Sequence, residues 1–68
     1  MSTSELLNRI VIDDKIMMGK PIIKGTRITV QHVFNLLAQG VSKKEILEDY
    51  QLKEEDILAC YAYVSRNQ

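Results

Sequence analysis

The sequence predicts a mainly α-helical domain, with three helices in its second half and a short β-strand or hairpin before them. Two observations support this prediction. After residue 29, apolar residues recur every three or four positions, and serine, threonine and glycine stand where helices begin and end. The first 28 residues instead hold the only proline, two of the three glycines and short β-branched runs. We therefore predict one domain, 1–68, with an N-terminal arm at 1–28 and a three-helix bundle at 29–66.

The N-terminal arm is predicted to contain short strands. "RIVID", residues 9–13, is rich in β-branched residues, which is typical of a strand. Ile22–Ile23 and Ile28 are two further strand pieces, on either side of a predicted turn at 24–26, where Gly25 permits a tight backbone. The preceding segment "SELL" fits either a helical turn or a loose arm.

The first predicted helix begins after Thr29, whose hydroxyl can cap its N-terminus, and ends before Gly40. Its apolar residues are spaced i, i+3, i+4 and i+7, as in a helix with one buried face. They are Val30, Val33, Phe34 and Leu37.

The other two predicted helices have the spacing of a helix-turn-helix. Ser42 and Glu45 form a capping-box pattern that opens the second helix. A turn at 51–53 separates it from the third helix, which we predict from Glu54 to Ser65. The side chains predicted to face inward are Ile46, Leu47, Tyr50, Ile57, Leu58, Tyr61 and Val64.

Size and composition exclude several classes of protein. The chain has 68 residues, and its hydrophobic fraction of 46% is ordinary for a globular protein. No apolar run approaches the roughly 20 residues of a membrane span, and no signal-peptide pattern is present at the N-terminus. The only cysteine, Cys60, cannot form an internal disulfide, so we expect a cytoplasmic location. Because so small a core is marginal, we also expect a homodimer, with an unpaired strand at 9–13 near its two-fold axis.

No set of residues indicates catalysis, a metal site or a cofactor site. His32 and Cys60 are the only residues of their types, so they cannot form a cluster of metal ligands. We interpret His32 as a helix-surface residue and Cys60 as a small packing residue. The hydroxyl residues have better explanations as turn and cap residues than as nucleophiles: Thr26, Thr29 and Ser42. We therefore expect a protein that is not an enzyme.

The segment 19–30, "GKPIIKGTRITV", resembles a phosphate-binding loop only superficially. In a Walker loop the lysine follows the second glycine, whereas here Lys24 precedes Gly25. The strand, loop and long helix that such a loop requires also do not fit in 68 residues. The segment is first a structural turn, in which Pro21 fixes its own φ angle and Gly25 permits a tight backbone turn.

The net charge is zero, but the charges are separated along the chain. Residues 15–44 hold six basic side chains and no acid, whereas 45–56 hold six acids and only Lys53. A basic arm beside a helix-turn-helix can contact phosphates without reading sequence. Two alternatives remain: the two blocks pair with each other as solvated faces, or Arg27 pairs with Asp13–Asp14. The predicted DNA contacts are Lys20, Lys24, Arg27, Lys43 and Lys44.

The acidic start of the third helix suggests a protein partner instead of DNA. In standard docking this helix end approaches the duplex, where Glu54, Glu55 and Asp56 would be repelled by phosphates. A basic partner would suit them, and we expect all three to be exposed. Tyr63 is predicted to face away from the core and to be a further partner contact. The alternative is that the acids are only a solvated helix start.

The same residues resemble a known family. The matching pattern comprises GKP at 19–21, GTRI at 25–28, an apolar helix to Gly40, Ser42 with EIL at 45–47, and EDI at 55–57. Over roughly residues 10–64 the chain is similar to the bacterial family known as domain of unknown function 433. Lys53 stands where that family commonly has a Ser or Thr cap.

This resemblance implies a homeodomain-like helical fold and an antitoxin role. Some members of the family look like antitoxins encoded beside toxins related to PIN-type ribonucleases. The function implied is a DNA-binding antitoxin that neutralises such a toxin and represses its own operon. The alternative is a protein-interaction module that binds a basic partner without binding DNA.

Overall fold

The computed structural model describes residues 2–66 as a small, mainly helical fold. Across those residues, no helix combines the length and the apolar character that crossing a membrane requires. The helices are α1 (Thr3–Leu7), α2 (Val30–Ala38), α3 (Lys43–Asp49) and α4 (Glu54–Arg66), and the strands are β1 (Ile10–Val11) and β2 (Ile22–Ile23). The prediction of a mainly α-helical domain with an N-terminal hairpin is therefore confirmed.

The N-terminal arm forms a hairpin preceded by a short helix. Residues Thr3–Leu7, which the sequence left open, are helical because Ser2 and Glu5 form a capping box. β1 pairs antiparallel with β2, with Ile10 opposite Ile23. The prediction of an unpaired strand at 9–13 is thus wrong, because the chain returns and supplies its partner from residues 22–23.

Tight turns bring the arm back onto itself. Met17, Met18 and Gly19 have φ angles of 50°, 59° and 78°, which reverse the chain after β1. The predicted turn after β2 is confirmed: Gly25 has φ +80°, and Ile23 donates its N–H to the carbonyl of Ile28 at 2.9 Å.

The predicted helix boundaries are confirmed by their capping interactions. The Thr29 hydroxyl accepts the N–H of His32 at 2.9 Å, and Ser42 and Glu45 form the capping box that starts α3. After α2, Gly40 has φ +90°, and Val41 donates its N–H to the carbonyl of Leu36 at 3.0 Å. These interactions are those of a Schellman motif.

The core lies where α2, α3, α4 and the hairpin meet. Its buried residues are Ile23, Val30, Val33, Ile46, Leu52, Ile57 and Cys60. Leu52 belongs to the predicted turn at 51–53, yet it is 8% exposed. Val64 packs against the core from α4, as predicted.

Three aromatic or apolar side chains do not lie where the sequence suggested. Tyr50, Leu58 and Tyr61 were predicted to face inward, but they are 38%, 44% and 46% exposed. For Leu58 and Tyr61 the reason is that α4 also packs against α1, so its buried face includes Asp56 and Ala59 and leaves residues 58 and 61 outside. Tyr50 caps the end of α3 and contacts His32 of α2. Tyr63, predicted to face away, instead packs partly buried against the core.

Candidate functional site

α3 and α4 are consecutive helices joined by a four-residue connection at 50–53, which is the spacing of a helix-turn-helix. Gln51 takes a left-handed conformation, with φ +55°, just after the end of α3. The next residue, Leu52, donates its N–H to the carbonyl of Leu47 at 3.0 Å, and its side chain enters the core. This arrangement ends α3 sharply and directs the chain into α4.

Asp56 is an internal carboxylate and not part of an exposed acidic patch. It is 9% exposed, and its Oδ1 accepts a hydrogen bond from Nη1 of Arg9 at 3.1 Å. Its Oδ2 accepts the backbone N–H of Lys53 at 2.9 Å. The prediction that Asp56 lies exposed is therefore wrong. The hydrogen bond from Lys53 is the half of a capping box in which the N3 side chain accepts the backbone N–H of the N-cap residue.

Glu54 joins the acidic block to the basic block. Its Oε1 accepts Nζ of Lys43 at 2.6 Å, and both side chains are about half exposed. This hydrogen bond and the charge of Glu54 raise the pKa of Lys43. The basic and acidic blocks thus pair with each other at this one contact, as one of the two alternatives predicted. Glu55 is half-buried and belongs to no ion pair among residues 2–66.

The remaining predicted DNA contacts are exposed and carry no carboxylate partner within residues 2–66. They are Lys20, Lys24, Arg27 and Lys44. In particular, Arg27 does not pair with Asp13–Asp14. The Asp13 carboxylate instead accepts the backbone N–H of Lys15 at 2.9 Å. These four cations are therefore available to an anionic partner.

Arg27 lies beside a cleft that the sequence did not suggest. His32 and Tyr50 line it, with Nε2 of His32 3.2 Å from the Tyr50 hydroxyl and their rings edge to face. The cleft has a volume of about 370 Å³ and an apolar part formed by Met17 and Ile28. No local pattern predicts this contact, because His32 and Tyr50 are 18 residues apart on different helices.

The outer face of α4 is partly apolar. Leu58 and Tyr61 are both exposed, one turn apart. The Tyr61 ring is held by an edge-to-face contact with Phe34 of α2, at a centroid distance of 5.3 Å. Tyr63 lies on the opposite side, where it lines a groove between the arm, α2 and α4 together with Lys20 and Phe34. The partner contact predicted at Tyr63 would thus have to be made through this groove.

Cys60 is a packing residue, as predicted, because its side chain is inaccessible to solvent. Burial, with a smaller contribution from Asp56, raises the pKa of its thiol to about 11. The reactive thiolate is therefore scarce at neutral pH. Across residues 2–66, no group of three or more His, Cys, Asp or Glu side chains is placed to hold a metal ion.

The fold is a small, mainly helical domain whose α3 and α4 have the spacing of a helix-turn-helix, and comparison with known proteins specifies its family. Residues 10–64 match the family described as "Protein of unknown function (DUF433)". The chain belongs to this family.

Two relatives illustrate the match. A crystal structure of a DUF433 member from Anabaena variabilis is 34% identical and superposes with a TM-score of 0.83 over 94% of this chain. The chain spans 64% of that protein's length. An uncharacterised protein of Archaeoglobus fulgidus is 62% identical over 24 residues, which are 35% of this chain and 67% of that protein.

Proposed function

We propose that the protein is a DNA-binding regulator of antitoxin type, which acts as a homodimer in the cytoplasm. It contacts phosphates of its operator through basic residues around the helix-turn-helix and represses its own operon. It also neutralises a basic, PIN-like ribonuclease toxin. The antitoxin part of this proposal rests on the family resemblance, and the DNA part rests on the arrangement of charges.

One observation carries the DNA part. Four of the five predicted DNA contacts remain exposed and free of carboxylate partners among residues 2–66, and three of them lie in the arm that leads into the helical bundle. Cations left unpaired near a helix-turn-helix are suited to phosphate oxygens, which position a protein on DNA without reading its sequence. The four are Lys20, Lys24, Arg27 and Lys44.

The test is DNA binding measured by fluorescence anisotropy over a range of salt concentrations. The two duplexes are the promoter fragment of the protein's own gene and a random fragment of equal length. Lys24→Ala and Arg27→Ala should each weaken binding to both duplexes equally. Each should reduce the salt slope by up to about 0.9 per phosphate contact removed.

Lys15→Ala is the matched control, because Lys15 is an exposed cation of the same arm that lies outside the predicted set. It should retain the affinity and the salt slope of the wild type. If the wild-type protein does not bind either duplex at low salt, DNA binding is rejected. If Lys15→Ala weakens binding as much as Arg27→Ala, the specific contacts are rejected.

The second candidate function is a protein-interaction module that does not bind DNA. It is favoured by the outer face of α4, where Glu54 and Glu55 precede the exposed Leu58 and Tyr61. Such a face suits a protein surface better than it suits phosphates. Under this alternative the protein binds a basic partner with normal affinity and does not shift its promoter.

A further inference from the structure

The outer face of α4 is a stripe of exposed residues, contacted within residues 2–66 by Phe34 at Tyr61 and by Lys43 at Glu54. Glu54, Leu58, Tyr61 and Ser65 are all exposed and are spaced by four, three and four residues, which places them on one side of the helix. The two large side chains, Leu58 and Tyr61, occupy the centre of the stripe. Polar residues occupy both ends.

The flank of the same stripe carries opposite charges at its two ends. Glu55 stands in the first turn of α4 and Arg66 in the last. They are eleven residues apart, which is close to three full turns, so both project on the same flank. Neither belongs to an ion pair among the described residues, although Arg66 lies over the Tyr63 ring at 5.7 Å.

When a second α4 lies antiparallel to the first, the apolar and charged residues of this pattern match those of the second helix. We infer that two copies of the protein associate through α4, with the two helices antiparallel about a two-fold axis near residues 59–60. Leu58 of each copy then packs on Tyr61 of the other. Glu55 lies within about half a turn of Arg66 in the second copy, and the symmetry makes this contact twice.

A second copy of the protein matches the charges on the outer face of α4 better than a basic partner does. A purely basic partner would match Glu55 but would repel Arg66, whereas a reversed α4 offers the opposite charge at both ends. Glu54 would meet the polar Ser65, and its own charge is already offset by Lys43 at 2.6 Å. Tyr61 is also held in place by Phe34 before association, which reduces the side-chain entropy that binding must remove.

The inference specifies the surface through which the homodimer of the proposed function associates, and it rests on that proposed function. It replaces the strand at 9–13 as the site of association, because that strand is already paired with β2. We expect an interface made by one 13-residue helix from each copy to bury less than the roughly 1,200 Å² of a typical stable interface. The expected dimer is therefore weak, with a Kd on the order of micromolar.

Charge reversal and its compensation test the inference by sedimentation equilibrium at low salt. Glu55→Arg and Arg66→Glu should each weaken association about tenfold or more, because each creates two like-charge contacts. The double variant, Glu55→Arg with Arg66→Glu, should restore association, since the pairs re-form with reversed polarity. Leu58→Glu should abolish it. Circular dichroism verifies that each variant remains helical.

Glu48→Arg is the matched control for Glu55→Arg, since it produces the same change of net charge at an exposed position on α3. It should associate like the wild type. The inference is overturned if the wild type is monomeric at high micromolar concentration, or if the double variant fails to regain association. If the protein dimerises and none of these substitutions changes its association, association through α4 is rejected but the homodimer is not. DNA binding, measured separately, decides the DNA part of the proposed function whatever the sedimentation result.

Discussion

At Asp56 a single carboxylate holds two distant parts of the chain together. One oxygen accepts the Arg9 guanidinium, 47 residues earlier, and the other accepts the N–H of Lys53 at the start of α4. The first contact attaches the N-terminal arm to α4, and the second satisfies a helix-end donor that has no other partner in the helix. The acid therefore stabilises the fold. Of its two acidic neighbours, Glu54 is engaged by Lys43, and only Glu55 belongs to no ion pair among residues 2–66.

Replacing this carboxylate should destabilise the protein. We expect Asp56→Ala to lower the free energy of unfolding by about 2 kcal/mol, because the cap is lost and the partly buried Arg9 is left unpaired. Asp56→Asn should lose about half as much, since its amide oxygen can still accept the Lys53 N–H. Urea unfolding at fixed protein concentration measures both. Glu48→Ala, at an exposed site, should change stability by less than about 0.5 kcal/mol, and an equal loss there would contradict the assignment.

The turn between α3 and α4 contains a local strain. Gln51 has φ +55°, a conformation that costs a residue with a side chain roughly 1 kcal/mol and costs glycine almost nothing. The strain is tolerated because it places Leu52 in the core and lets Leu52 donate to the carbonyl of Leu47. The connection between α3 and α4 thus depends on a conformation that Gln51 does not favour.

Gln51→Gly should therefore stabilise the protein. The relief of strain exceeds the extra entropy of glycine in the unfolded chain, so we expect a net gain of about 0.5 kcal/mol. Gln39→Gly is the control, because Gln39 has φ −81° and gains nothing from glycine. It should destabilise by several tenths of a kcal/mol. Thermal unfolding of both variants measures the difference, and a lower melting temperature for Gln51→Gly would refute the argument.

The elements that depend on local chemistry were predictable from the sequence, and those that depend on packing were not. The caps at Thr29 and Ser42 and the glycine end at Gly40 involve residues within five positions of each other, so short patterns identify them. The orientation of α4 depends on α1, whose helical state the sequence left open. For that reason the pattern could not show that Asp56 is buried, or that Tyr61 is exposed.

For the whole molecule, the separation of charge along the chain is only partly preserved in three dimensions. The basic block keeps five exposed cations without carboxylate partners among residues 2–66, but Lys43 is engaged by Glu54. The acidic block loses Asp56 to the interior. The effective basic surface is therefore smaller than the sequence suggested, and one of its members is held by the opposite block.

Releasing Lys43 gives a test of the proposed DNA contacts at this scale. Glu54→Gln removes the negative charge that holds Lys43 while keeping a side chain of the same shape, so the ammonium group is released more readily to a phosphate. We expect tighter binding to the promoter fragment and a salt slope steeper by up to about 0.9, since one further counterion is released. In the wild-type background, Lys44→Ala should weaken binding more than Lys43→Ala does.

Glu48→Gln separates this effect from a simple change of net charge. It removes one exposed negative charge from α3 at a residue that belongs to no ion pair among residues 2–66. It should strengthen DNA binding slightly through the general field of the protein, without adding a phosphate contact or steepening the salt slope. If Glu54→Gln and Glu48→Gln give the same affinity and slope, Lys43 does not reach a phosphate. DNA would then have to bind through the arm residues and Lys44 alone, away from the Lys43–Glu54 pair.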